Sequence, residues 1–171
     1  MKSHPHDEFF KYLFSLVNVA KAFVQNFLPS EVLSTLDLDT LVPDDTEYIT
    51  PELAAMYSDK VYRCKLRGEH APILAIAVLL EHKTFVPRYP HFQLNEYRQR
   101  IWTMLLQNRE KPVAVLPIIL YHGARRWIKR DMVSYFDQLP KPFEAYIGGF
   151  DYCLVDLSRY SDEHLLRLKL S

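Results

Sequence analysis

Apolar residues recur at helical spacing through residues 7–28: Phe9, Phe10, Leu13, Phe14, Leu16, Val17, Ala20, Phe23, Val24 and Phe27. The spacing predicts one long amphipathic helix, opened by Asp7 as N-cap and stopped by Pro29. Its apolar stripe is broad, so packing on more than one side is expected. Residues 30–36 read as a second, short helix. Residues 37–52 hold acidic residues together with Pro43 and Pro51. They read as a connection, with a short strand near 47–49.

The pattern then changes period. In residues 59–66, Tyr62, Cys64 and Leu66 alternate with Arg63 and Lys65, which predicts a half-buried strand. Residues 67–72 carry turn chemistry. Residues 73–80 are an unbroken apolar run rich in β-branched side chains, the mark of a central strand buried on both faces, and the run continues into Glu81-His82-Lys83-Thr84. Helical spacing returns over 92–107 through Leu94, Tyr97, Ile101 and Leu105. Residues 113–121 form another apolar strand, in which Pro117 argues for a bulge or an edge position. Residues 131–149 are loop-rich, 152–157 suit a last short strand, and 161–170 open a helix. The order is helix, β-hairpin, helix, strand, hence an α/β or α+β fold with a mixed sheet.

Composition changes this picture little. With 171 residues, 49% of them hydrophobic, the chain suits one domain, 1–171, with a real core. Lys+Arg and Asp+Glu are both 21, so bulk charge gives no argument for nucleic acid. The distribution is uneven, however. Residues 31–52 carry Asp37, Asp39, Asp44, Asp45 and Glu47 without a Lys or Arg, whereas Arg125-Arg126-Trp127-Ile128-Lys129-Arg130 is strongly basic. Cys64 and Cys153 stand in no metal-ligand spacing and read as unpaired thiols. The N-terminus lacks the apolar core of a signal peptide, and no run is long enough to span a bilayer, so a cytoplasmic protein without membrane contact is expected. Only four glycines occur, and no glycine-rich phosphate loop.

The hairpin concentrates the chemistry. If Leu66 and Ile73 flank its turn as partners, position 59 falls opposite position 80, and a slip of one residue sets it opposite Glu81. Glu81 and Lys83, two apart, share a side of an extended strand. Asp59, Glu81 and Lys83 thus converge at one end of a sheet. Two carboxylates offer hard oxygen ligands to a divalent cation, Mg2+ being the natural one, with Mn2+ or Ca2+ as substitutes. Such a cation suits phosphodiester hydrolysis, in which a nearby lysine orients water or offsets developing charge. Glu-x-Lys also arises by chance at solvated strand ends, where it forms ordinary surface ion pairs.

Several segments resemble one family. Leu79-Leu80-Glu81-His82-Lys83-Thr84 is similar to the "LLEHQS" signature of the Rpn recombination-promoting nucleases, transposase-like members of the PD-(D/E)XK superfamily. His6-Asp7-Glu8-Phe9-Phe10-Lys11 resembles their opening "HDxxFK", and Phe27-Leu28-Pro29 their "FLP" helix end. Asp59-Lys60-Val61-Tyr62 resembles "D-x-V-Y", residues 97–102 resemble "Y…RIW", and 117–123 with Trp127 resemble "P-x-x-x-Y-H-G…W". The segments keep the family's order. The resemblance implies a restriction-endonuclease-like core, a mixed sheet flanked by helices. It further implies a metal-dependent DNA endonuclease linked to recombination or mobile elements, with Asp59, Glu81 and Lys83 catalytic and Asp59 and Glu81 holding the metal. Many members carry Gln where Lys83 stands, and Arg where Gln93 stands. The family's chains usually run well beyond 171 residues, so a C-terminally truncated form is expected.

Other residues keep two readings. Asp7 caps the first helix or approaches the site. Lys11 contacts phosphate or is solvated. Tyr97 is a core aromatic or a hydrogen-bond donor to Lys83 or a phosphate. His82 faces away from Glu81 and packs or hydrogen-bonds, whereas His122 serves the site or a turn. Arg125, Arg126, Lys129 and Arg130, beside Trp127, form a DNA-backbone patch or a solvated loop. The expected partners are DNA and, since short nucleases often dimerise, a second copy as a homodimer. The alternative to an active nuclease is a DNA-binding or regulatory module that keeps the fold without turnover.

Overall fold

A computed structural model describes residues 5–44, 57–68, 72–81, 86–161 and 163; of residues 5–7, 57–58 and 80–81 it describes the backbone. The first apolar stripe forms two helices, not one: α1, Pro5–Ser15, and α2, Val17–Phe27. Leu16 between them is extended (φ −82°, ψ 109°). The break divides the broad stripe. Phe10 and Phe14 of α1 and Ala20, Phe23 and Val24 of α2 all enter one core, and Phe14 meets Phe23 edge-on at 5.1 Å. A straight helix could not turn so wide a stripe onto one sheet. Because α1 begins at Pro5, position 7 lies inside its first turn and is not the N-cap; proline is well suited to a helix start.

A short helix, α3, spans Ser30–Leu33, and β1 follows at Leu36–Asp44, where the sequence pattern had suggested a connection. Leu36, Leu38 and Leu41 are buried, but pairing slips between Asp37 and Val42. That irregularity breaks the two-residue alternation and hides the strand from a periodicity reading. The strand expected at 47–49 lies outside the described residues.

The remaining strands are β2, Tyr57–Leu66; β3, Ile73–Glu81; β4, Ala114–Tyr121; and β5, Cys153–Asp156. They form a mixed sheet in the order β1-β2-β3-β4-β5, antiparallel from β1 to β3 and parallel from β3 to β5. As its unbroken apolar run implies, β3 is the middle strand. A long helix, α4, Pro90–Gln107, makes the crossover from β3 to β4 that a parallel pair requires. Its buried Leu94, Tyr97, Ile101 and Leu105 are the stripe read from the sequence.

The two faces of the sheet bury separate cores. Tyr62, Cys64, Ile76, Val78 and Ile118 pack with α1 and α2. Val61, Ala75, Ala77, Leu79 and Ile119 pack with α4. The result is a mixed α/β fold of the kind the PD-(D/E)XK resemblance implies. Pro117 marks neither a bulge nor an edge strand: β4 pairs with β3 without a slip from Ala114 to Leu120. Since β5 pairs only from Ile118 onward, no strand among the described residues lies beside Pro117 on that side, and its missing N–H costs no ladder bond there. The helix expected over 161–170 lies outside the described residues but for 161 and 163. No helix among the described residues is long and apolar enough to cross a membrane.

Candidate active site

The hairpin register differs by one residue from the simplest pairing across the turn. Lys65 pairs with Ile73, Asp59 with Leu79, and Tyr57 with Glu81. The difference matters because a one-residue slip exchanges faces. Pairing 59 with 80 would have set Asp59 and position 81 on opposite faces. The observed register gives positions 59, 79 and 81 the same parity, the one whose inner members Val61 and Leu79 lie in the core beneath α4. Lys83 and His82 lie outside the described residues, as does the side chain of Asp7.

Asp59 is partly buried near the start of β2. The Tyr97 hydroxyl donates to its Oδ2 at 2.6 Å. Tyr97 is a core aromatic, its ring buried under α4, and its hydroxyl donates to Asp59, a partner that the sequence pattern did not single out for it. Gln93 sits one turn earlier on α4, half-buried and engaged in its own interactions. Burial raises the Asp59 carboxyl above its ordinary value, and the Tyr97 hydrogen bond and the Lys11 charge oppose that rise. So the exposed Lys11 of α1 approaches Asp59. A desolvated carboxylate with only partial compensation gains from a cation, and its oxygens suit a hard divalent ion. Among the described residues no three His, Cys, Asp or Glu side chains gather as a metal cluster.

β3 and β4 are parallel, so Tyr121 ends β4 at the edge of the sheet where Glu81 ends β3. The basic loop begins there. Its Trp127 is an anchor, buried in the α4-side core and edge-on to Tyr121 at 5.1 Å. The Trp127 backbone N–H donates to Asp156 Oδ2 at 2.9 Å, and Asp156, itself buried, also accepts from the Ser158 N–H and hydroxyl. Asp156 was absent from the sequence reading; an Asp two residues before Ser158 at the end of an apolar strand is the available turn signal.

The loop's cations divide into two sets. Lys129 turns inward, 2.5 Å from Asp151 and donating at 2.7 Å to the Tyr152 carbonyl. Arg125, Arg126 and Arg130 are exposed. Arg126 and Arg130 line a cleft of about 280 Å³ together with Arg88, which precedes α4 and which the sequence pattern did not single out. His122 stands exposed just past β4.

Comparison with known proteins supplies the family. The profile of the family described as "Putative transposase, YhgA-like" matches residues 4–170. Recombination-promoting nuclease RpnD of Escherichia coli O157:H7 is 25% identical over 173 residues, covering 96% of this chain and 63% of its own length. Recombination-promoting nuclease RpnC of Escherichia coli strain K12 is 24% identical, covering 95% of this chain and 54% of its own. The inactive recombination-promoting nuclease-like protein RpnE of the same strain is 24% identical, covering 96% and 54%. The chain therefore spans between about half and two thirds of the length of these relatives. No solved structure matches.

Proposed function

This chain belongs to the YhgA-like transposase family, and from that premise we propose that it is a metal-dependent endonuclease that hydrolyses DNA phosphodiester bonds during recombination. The observation that carries the reading is the β2–β3 register, with Asp59 opposite Leu79 and Glu81 two residues further on. Diagonal positions of an antiparallel pair lie about 7–8 Å apart, within reach of one ion shared by two carboxylates. Asp59 and Glu81 would hold the divalent cation, Mg2+ or a substitute such as Mn2+ or Ca2+. When bound, such an ion supplies positive charge to the phosphoryl group as it is attacked.

The chain's own groups have distinct tasks. Tyr97 fixes the Asp59 carboxylate in one rotamer through its 2.6 Å hydrogen bond, which preorganises a ligand before any ion arrives. Lys83, by its spacing from Glu81, is assigned to orienting water or offsetting charge on the phosphate. Arg125, Arg126 and Arg130, on the loop that leaves the same end of the sheet, are assigned to the DNA backbone.

The test is plasmid nicking with Mg2+, Mn2+ or Ca2+. Wild-type protein is expected to nick, and Asp59→Asn and Glu81→Gln to lower the rate by at least the roughly 10–100-fold that loss of a mere outer-shell partner costs. Cleavage by Glu81→Gln at the wild-type rate would remove Glu81 from the site. Folded wild-type protein that binds DNA and never cuts it would favour a binding module without turnover, a reading supported by a relative named as inactive.

A further inference from the structure

The arginine cleft has an unusual rim. Tyr89, Phe92 and Phe136 are 42%, 47% and 38% exposed, although each ring is part of one row with Tyr135. Tyr89 meets Phe92 at 6.0 Å and Tyr135 at 5.4 Å; Phe92 meets Phe136 at 6.3 Å. Aromatic rings gathered in a row are ordinarily buried, and an exposed row marks a binding surface. Tyr135 belongs to both features, since it also lines the cleft. Arg88 joins them as well, with its guanidinium 5.1 Å from the centre of the Tyr89 ring.

Charge identifies the occupant. Arg88, Arg126 and Arg130 line the cleft, and among the described residues no carboxylate lines it and none of the three has a salt-bridge partner. Three clustered guanidinium groups repel a second copy of the same surface and attract a polyanion. Flat exposed rings beside a cationic groove suit a strand whose bases are unstacked, since a duplex keeps its base faces covered. Trp127, packed on Tyr121 at the end of β4, also lines the cleft, so the cleft lies toward the end of the sheet at which β3 and β4 stop.

We infer that the cleft and its rim hold an unpaired DNA strand, with Arg88, Arg126 and Arg130 on phosphates and Tyr89 and Phe92 stacking on bases, so that the substrate is single-stranded or locally opened DNA. This inference rests on the DNA reading above and specifies its substrate.

Fluorescence anisotropy in EDTA, with labelled oligothymidylate and a blunt duplex of equal length, separates binding from cleavage. The single strand should bind the wild-type chain more tightly than the duplex. Phe92→Ala and Tyr89→Ala should each weaken single-strand binding about tenfold and leave duplex binding unchanged. Arg126→Glu should weaken both ligands and reduce the salt dependence. Phe92→Leu, which keeps an apolar side chain but no aromatic face, controls for folding and should behave as Phe92→Ala. Equal binding of strand and duplex, with Phe92→Ala indistinguishable from wild type, would overturn the inference. It would also fall if Phe92→Ala abolished self-association in sedimentation and left DNA binding intact, for the row would then be a contact between copies. A chain that nicks plasmid but shows no strand preference defeats only this inference. A chain that binds the strand through Phe92 but never cuts defeats only the catalytic reading.

Discussion

Replacing Tyr97 by phenylalanine removes a hydrogen bond that ties α4 to the candidate site. The ring is 1% exposed and remains in place in the variant, so neither cavity nor packing loss accompanies the change. What disappears is the 2.6 Å bond from its hydroxyl to Asp59 Oδ2. Hydrogen bonds to charged groups contribute about 1.5–3 kcal/mol. Asp59 keeps some contact with solvent, which places the expected loss at the lower end, ~1.5–2 kcal/mol. For a chain of this size that corresponds to a melting temperature lower by roughly 3–8 °C. Burial raises the Asp59 pKa and the Tyr97 bond opposes it, so the bond favours the ionised form. Its contribution is therefore present above the folded-state pKa of Asp59 and shrinks as pH falls through it. Urea melts of wild type, Tyr97→Phe, Asp59→Ala and the double variant at neutral and acid pH measure this as a coupling energy. A coupling near zero at neutral pH, or a loss that grows on acidification, would refute the assignment.

Two further effects follow from single positions. At Gly123 an added Cβ would stand 2.1 Å from the Tyr121 hydroxyl, and the Tyr121 ring is buried against Trp127, so Gly123→Ala should destabilise by about 1–3 kcal/mol in the same melts. His91 is 1% exposed, and its Nδ1 shares a hydrogen bond of 2.9 Å with the Tyr135 hydroxyl. Burial lowers its pKa, opposed by Asp151 and Asp131, so the unfolded chain takes up this proton at a higher pH than the folded one. Stability should therefore fall as pH drops below the ordinary histidine range, and His91→Gln should flatten that slope in thermal melts between neutral pH and the folded-state pKa. An unchanged slope would place the acid sensitivity elsewhere.

Periodicity along the chain was enough to locate β2, β3, β4, β5 and α4, because each is regular and carries its apolar residues at the spacing of its own geometry. The central position of β3 was equally legible, since only a strand covered on both faces can be apolar throughout. The sequence alone also singled out Asp59, Glu81 and Lys83 as the candidate site residues, and the structure puts Asp59 near the start of β2 and Glu81 at the end of β3. Tertiary structure decided what depends on contacts between distant segments. It broke the first helix at Leu16, where no proline or glycine signals a stop, so that two aromatic stripes could share one core. It made a strand of residues 36–44, whose irregular pairing obscures the alternation. It fixed the hairpin one residue from the simplest register, which decides which residues of β2 and of β3 share a face. The Tyr97–Asp59 bond and the approach of Arg88 to Arg126 and Arg130 join residues 38 or more positions apart. No local pattern encodes such meetings; they exist only once the sheet has set where its ends and its crossover helix lie.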